Sequence, residues 1–205
     1  MLLATQAAWA QDIKIVALGD SLIQGYGLAQ GDGFVPQMQA WLSENGTQAE
    51  IVNAGVSGDT TTGALARFDW ALPPDADALI VSLGGNDILR AIDPDLARAN
   101  LAEILQRAKE RQMPVLLVGI NVPSNYGAEY QTRFQAIYPE LSEQFATFYY
   151  PDFLQALLDF EDRAKTYLTY FQNDGLHPNK DGVAIIVADM GPSIVALAQR
   201  ARQAK

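Results

Sequence analysis

Continuous apolar runs alternate along this chain with stretches whose apolar positions recur every three or four residues. Ile13 to Leu18 (IKIVAL), Ala78 to Leu83 (ALIVSL) and Pro114 to Gly119 (PVLLVG) are runs of strand length. Unbroken runs of this kind mark strands covered on both faces. Glu50 to Val52 predicts a shorter strand, and the aromatic stretch Phe145 to Tyr149 a last one. Between the first two strands, Phe34, Val35, Met38, Trp41 and Leu42 fall at helical spacing and predict a helix from Phe34 to Glu44. Further helices are expected from Thr61 to Trp70, from Pro94 to Arg111, from Tyr126 to Gln144 and after Asn179 to Arg202. Pro94 suits a first helical turn, where its missing N–H is no loss. Pro139 is expected to kink or divide its helix, Pro192 to disturb the last one, and Asn179 to cap it.

The resulting order, βαβαβαβαβα, implies a parallel sheet with helices on both faces, an α/β fold of three layers, α/β/α. In such sheets the ligand lies beyond the carboxyl ends of the strands. The loops after Leu18, Val52, Leu83 and Gly119 are therefore the place to look for chemistry. With 205 residues and no linker, repeat or low-complexity tract, residues 11–205 are expected to form one domain.

Composition removes several function classes. A formal charge of −10 without a Lys/Arg cluster argues against nucleic acid and against anionic membrane surfaces. Zero cysteines and one histidine disfavour a zinc site and exclude thiol chemistry. The start, MLLATQAAWAQ, ends in the small-x-small triplet Ala8-Trp9-Ala10, so residues 1–10 are read as a signal-peptide remnant or a mobile tail. The first reading implies a periplasmic or secreted protein, the second a cytoplasmic one. No other apolar run approaches the ~20 residues of a membrane span, so no integral membrane association is expected. A monomer is the favoured state.

The strand-end loops carry Gly19-Asp20-Ser21-Leu22, Asn53-Ala54-Gly55-Val56-Ser57-Gly58-Asp59-Thr60 and Gly84-Gly85-Asn86-Asp87. Neither a P-loop nor a dinucleotide fingerprint fits their spacing. The lipase elbow G-x-S-x-G is absent too. Acyl transfer fits better. Ser21 stands just past a strand end and can serve as nucleophile. The lone histidine, His177, can serve as its base, and Asp174 lies close enough in a turn to orient the ring. The Ser21 and Gly58 backbone amides and the Asn86 side-chain amide are candidate oxyanion donors, each typically worth about 3–4 kcal/mol in the transition state. Asp20, Asp59 and Asp87 are read as loop braces. The aromatic span from Phe145 to Phe171 is read as core and rim packing, with an aryl or acyl pocket as the alternative.

GDSL at 19–22, NAGVSGDT at 53–60, GGND at 84–87 and DGLHP at 174–178 together resemble the SGNH hydrolase superfamily, the GDSL esterases. Pro123-Ser124-Asn125-Tyr126-Gly127 and Ala136-Ile137-Tyr138-Pro139 extend the likeness toward the bacterial periplasmic multifunctional esterases of that superfamily. The resemblance implies a flavodoxin-like five-stranded parallel sheet. It implies Ser21, Asp174 and His177 as the catalytic triad and Ser21, Gly58 and Asn86 as the oxyanion hole, with no cofactor and no metal. The implied substrate is a small-molecule ester: an aryl or acyl ester, a thioester or a lysophospholipid. A carbohydrate acetylester is the alternative within the superfamily, and a non-catalytic binding module the alternative outside enzymes. One departure stands out. Ile88-Leu89-Arg90-Ala91-Ile92 is more apolar than the glycine-containing loop of the nearest relatives, a loop that borders the acyl site in the family. No long insertion offers a lid, so an open site is expected.

Overall fold

A computed structural model describes residues 13–205, so the reading of residues 1–10 lies outside the described residues. In chain order the elements are β1 (Ile13–Gly19), α1 (Ser21–Gln24), α2 (Phe34–Glu44), β2 (Ala49–Gly55), α3 (Thr61–Ala66), α4 (Phe68–Ala71), β3 (Ala78–Ser82), α5 (Gly85–Leu89), α6 (Pro94–Glu110), β4 (Val115–Val118), α7 (Ala128–Phe145), β5 (Phe148–Tyr150), α8 (Gln155–Leu158), α9 (Arg163–Tyr170) and α10 (Lys180–Ala204). A 3₁₀ turn at Ser124–Tyr126 precedes α7.

The five strands form one sheet in the order β2-β1-β3-β4-β5, and every pairing is parallel. This is the flavodoxin-like order, with its switch point between β1 and β3. Period-two alternation splits β1, β2, β3 and β4 between two cores, whereas the edge strand β5 packs only on the first. Ile13, Ile15 and Ala17 of β1 face the layer that contains α2 and α10, whereas Val16 and Leu18 face the layer that contains α3, α6 and α7. Both faces are apolar because both are covered, which is why the runs read as continuous in sequence.

Several boundaries differ from expectation for local reasons. β2 runs on to Gly55 because it stays in register with β1 through the pair Gly19↔Gly55. The expected helix from Thr61 to Trp70 is two helices meeting at Arg67, which ends α3 and begins α4. Pro139 does not divide α7; the helix spans Ala128–Phe145 around it. β5 begins later than expected, since Phe145 still belongs to α7 and Ala146 closes that helix in the left-handed region at φ 53°. The short helices α8 and α9 fall in a stretch for which no element is expected. Helix α10 is long and apolar enough to cross a membrane by length and composition, contrary to expectation, yet 50% of its most apolar window is buried within this fold. Asn179 caps it as expected, accepting from the Asp181 and Gly182 amides.

A buried polar network holds the helices under the strand ends. The Asp87 carboxylate, fully buried, accepts from the Thr61 amide at 2.9 Å and the Thr61 hydroxyl at 2.6 Å. Asn100 donates to the Thr61 and Thr62 hydroxyls at 3.1 and 2.8 Å. One side chain on α5, one on α6 and the start of α3 are thus fixed together, and a half-satisfied version would be costly.

Gly55 is where α1 and β2 touch most closely. A Cβ there would overlap backbone atoms of Ile23 and Gln24, which cannot rotate aside. Gly55→Ala is therefore expected to lower stability by about 1–3 kcal/mol through overpacking, read from urea unfolding.

Candidate active site

The site is built from the turn that follows β1. Asp20 leaves the strand and caps α1, its carboxylate accepting from the Leu22 amide at 3.1 Å. Ser21 is consequently the first residue of α1, and a helix's first amide has no partner within its own helix. Its hydroxyl lies 2.8 Å from His177 Nε2.

The histidine comes from a turn whose geometry the sequence dictates. Asp174 Oδ1 accepts from the Leu176 and His177 amides at 2.9 and 3.0 Å, folding the loop back on itself. Its other oxygen, Oδ2, meets His177 Nδ1 at 2.7 Å. Gly175, at φ 64°, takes the left-handed step that this turn requires. One carboxylate therefore shapes the loop and orients the ring at once. With Nδ1–H donating to Asp174, Nε2 is left to accept from the Ser21 hydroxyl. Burial opposes ionisation of Asp174, but the His177 amide, the imidazole and the Leu176 amide outweigh it and hold the carboxyl at about 2.

The remaining expected residues border the same cleft. Gly58 and Asn86 line it together with Ser21 and His177. Asn86 does not cap α5, as its position after β3 could suggest; Gly84 stands at that cap. The Asn86 amide Nδ2 lies 3.5 Å from Asp20 Oδ2. The five site positions read from the sequence, Ser21, Asp174, His177, Gly58 and Asn86, thus meet beyond the carboxyl ends of the strands, with Asp20, read as a loop brace, beside them. A hydroxyl hydrogen-bonded to an imidazole that is itself held by a carboxylate can lose its proton as it attacks a carbonyl.

Several supporting residues carry no signal in the sequence. Arg67 donates to the Gly19 carbonyl at 3.1 Å and pairs with Asp59 at 2.7 Å, tying the end of β1 to the loop after β2. Arg90 donates to the Gly58 carbonyl at 2.8 Å. Gln172 donates to the Tyr26 and Pro178 carbonyls, and its amide donates to the His177 carbonyl, bracing the histidine loop. The Tyr26 ring packs 4.8 Å from the imidazole. An arginine or glutamine that reaches a carbonyl across the fold leaves no periodicity or spacing to read.

The cleft has a volume of about 490 Å³. Tyr26, Leu89 and Leu176 stand at its open rim, each about half exposed. The apolar loop after Gly85 contributes Ile88 and Leu89, and the aromatic span contributes Phe153, Tyr167 and Phe171, which do more than pack the core. Helices α8 and α9 wall one side through Leu158 and Tyr167. Among the described residues, no cluster of His, Asp and Glu side chains is arranged to hold a metal ion.

A flavodoxin-like sheet with a Ser–His–Asp chain at its carboxyl edge defines a class, hydrolases built on an activated serine. The chain belongs to the GDSL-like Lipase/Acylhydrolase family, whose profile matches residues 17–185. It is 35% identical to the esterase TesA of Pseudomonas aeruginosa over 198 residues, 96% of this chain and 94% of that protein. It is 34% identical to the thioesterase 1/protease 1/lysophospholipase L1 of Escherichia coli over 201 residues, 96% of this chain and 90% of that protein. Among solved structures, AlinE4, an SGNH-hydrolase family esterase, is 39% identical with a TM-score of 0.73, covering 91% of this chain and 96% of its own.

Asp20 supplies a test of the electrostatics. Burial raises its carboxyl to about 6, against the pull of the Leu22 amide. The unfolded chain, with an ordinary aspartate near 3.8, releases its proton first as pH rises. Stability is therefore lost between pH 4 and pH 6, and the loss is complete above pH 6. Asp20→Asn keeps an acceptor for the Leu22 amide and removes the ionisation. Its stability relative to wild type is expected to rise by about 3 kcal/mol between pH 4 and pH 7, measured by urea unfolding at both values.

Proposed function

We propose that this protein is a serine esterase that cleaves carboxylic esters through an acyl-enzyme on Ser21. The unbroken hydrogen-bonded chain from Asp174 Oδ2 through His177 to Ser21 Oγ, with spacings of 2.7 and 2.8 Å, carries this reading. Ser21 Oγ attacks the ester carbonyl while its proton passes to His177 Nε2. Asp174 holds the imidazole in the required tautomer and stabilises the imidazolium. The Ser21 and Gly58 amides and the Asn86 side chain receive the oxyanion. Collapse expels the alcohol with the proton from His177. Water, deprotonated in turn by His177, attacks the acyl-enzyme; the C–Oγ bond breaks, His177 returns the proton to Ser21 Oγ, and the acid departs.

The substrates are aryl and acyl esters, thioesters and lysophospholipids. The names of the relatives and the apolar lining at Leu22, Ile88, Leu89 and Ile120 support that range. Residues 11–205 act as one catalytic domain, a monomer without cofactor or metal. The Ala8-Trp9-Ala10 triplet supports export to the periplasm or beyond.

The test is hydrolysis of p-nitrophenyl acetate, butyrate and octanoate. His177→Ala, shown to be folded by circular dichroism, is expected to lose at least about a hundredfold in rate. A folded variant as fast as wild type overturns the mechanism. Wild type inactive on all three esters redirects the reading to sugar acetylesters or a binding role. Asn86→Ala is expected to lose about 10²–10³ in kcat with KM nearly unchanged, since its donor acts mainly on the oxyanion.

A further inference from the structure

Seven of the nine arginines meet an oxygen of the protein: Arg67, Arg90, Arg98, Arg107, Arg111, Arg133 and Arg202. Arg163 does not; it comes within 4.0 Å of no carboxylate among the described residues, its sequence neighbours Glu161 and Asp162 included. Among the described residues it is also the one permanent cation that lines the cleft.

Its place does not serve the helix. Arg163 is the first residue of α9, where the helix dipole disfavours positive charge. The cap is provided by Asp162, whose carboxylate accepts from the Lys165 amide and is thereby occupied. Asp152 lines the same cleft, but it is buried and accepts from the Leu154 amide. An exposed, uncommitted guanidinium thus stands on the wall of a reaction cleft in a protein of formal charge −10. The overall field repels anionic substrates, so any attraction for them must be local. A guanidinium matches carboxylate and phosphate oxygens with two parallel donors.

We propose that Arg163 is a specificity-determining residue that selects esters carrying an anionic group, phosphate or carboxylate, away from the bond that is cleaved. The proposal rests on the esterase reading above and names the substrate class of that site. It predicts binding discrimination rather than a contribution to the chemical step.

The experiment uses two matched ester pairs: para-butyryloxybenzoate against its methyl ester, and butyrylglycerol phosphate against monobutyrin. Each is assayed with wild type, Arg163→Gln and Arg163→Lys. Arg163→Gln is expected to lower kcat/KM about tenfold on an anionic ester through KM, and to leave the neutral partner within about twofold. Arg163→Lys should recover part of the loss, because it restores the charge without the fork. The wild-type preference should shrink near about 1 M salt, where screening reaches about 3 Å, while Arg163→Gln shows no such dependence. Loss in either pair supports the proposal, and the pair that responds identifies carboxylate or phosphate as the anion. An unchanged anionic-to-neutral ratio in both pairs, or an equal fall on neutral and anionic esters, overturns it. Wild type inactive on the neutral esters as well would instead bring down the esterase reading itself, and this inference with it.

Discussion

The parallel pairing of β1 with both β2 and β3 governs everything at the carboxyl edge. The three strands stay in register up to Gly19, which faces Gly55 on one side and Ser82 on the other. At the next residues the chains must part, because the order of connections reverses between β1 and β3. The crevice opened there receives Ser21 from one strand end, Gly58 from the second and Asn86 from the third. Arg67 closes the first of these loops onto the second, and Asp87 ties the third to α3. These candidate groups are therefore placed by backbone pairing and buried polar contacts.

This arrangement carries an electrostatic cost at Asp20. Its carboxyl is nearly fully buried and sits beside the Asn86 amide. Burial raises it to about 6, while the more exposed Asp174 is pulled down to about 2 by donors in its own turn. Two aspartates near one serine thus differ because burial dominates at Asp20, whose donors are the Leu22 amide and the more distant Asn86 side chain, whereas two amides and an imidazole outweigh burial at Asp174. The contrast separates the carboxylate suited to holding a positive imidazole from the one suited to shaping a turn.

The layers and the strand-end loops were legible in the sequence because they follow from period and punctuation. Ile13 to Leu18 and Ala78 to Leu83 are buried on both faces, and their apolar runs say so directly. That Ser21, Asp174 and His177 would come together was legible because four short blocks fall in order along the chain, each weak alone and strong in combination. What stayed hidden depends on tertiary context. Pro139 is tolerated inside α7 although local propensity argues otherwise. Helices α8 and α9 are short and irregularly patterned, yet they wall the cleft. Arg67, Arg90 and Gln172 act through carbonyls that lie far away in sequence, and no local rule reports such reach.

Asp174 and His177 belong to the same turn, and their mutual bond is made within it. Of the two hydrogen bonds in the Ser–His–Asp chain, only the one between His177 and Ser21 crosses from one part of the fold to another. Aligning three groups therefore takes one contact between separate parts of the fold, that of this turn with the end of β1, and spares the ordering entropy of a third independent element. The same economy makes disengagement a single event. If the loop braced by Gln172 opens, the imidazole and its carboxylate withdraw together, and Ser21 remains in its capped turn without a hydrogen-bond acceptor from that loop.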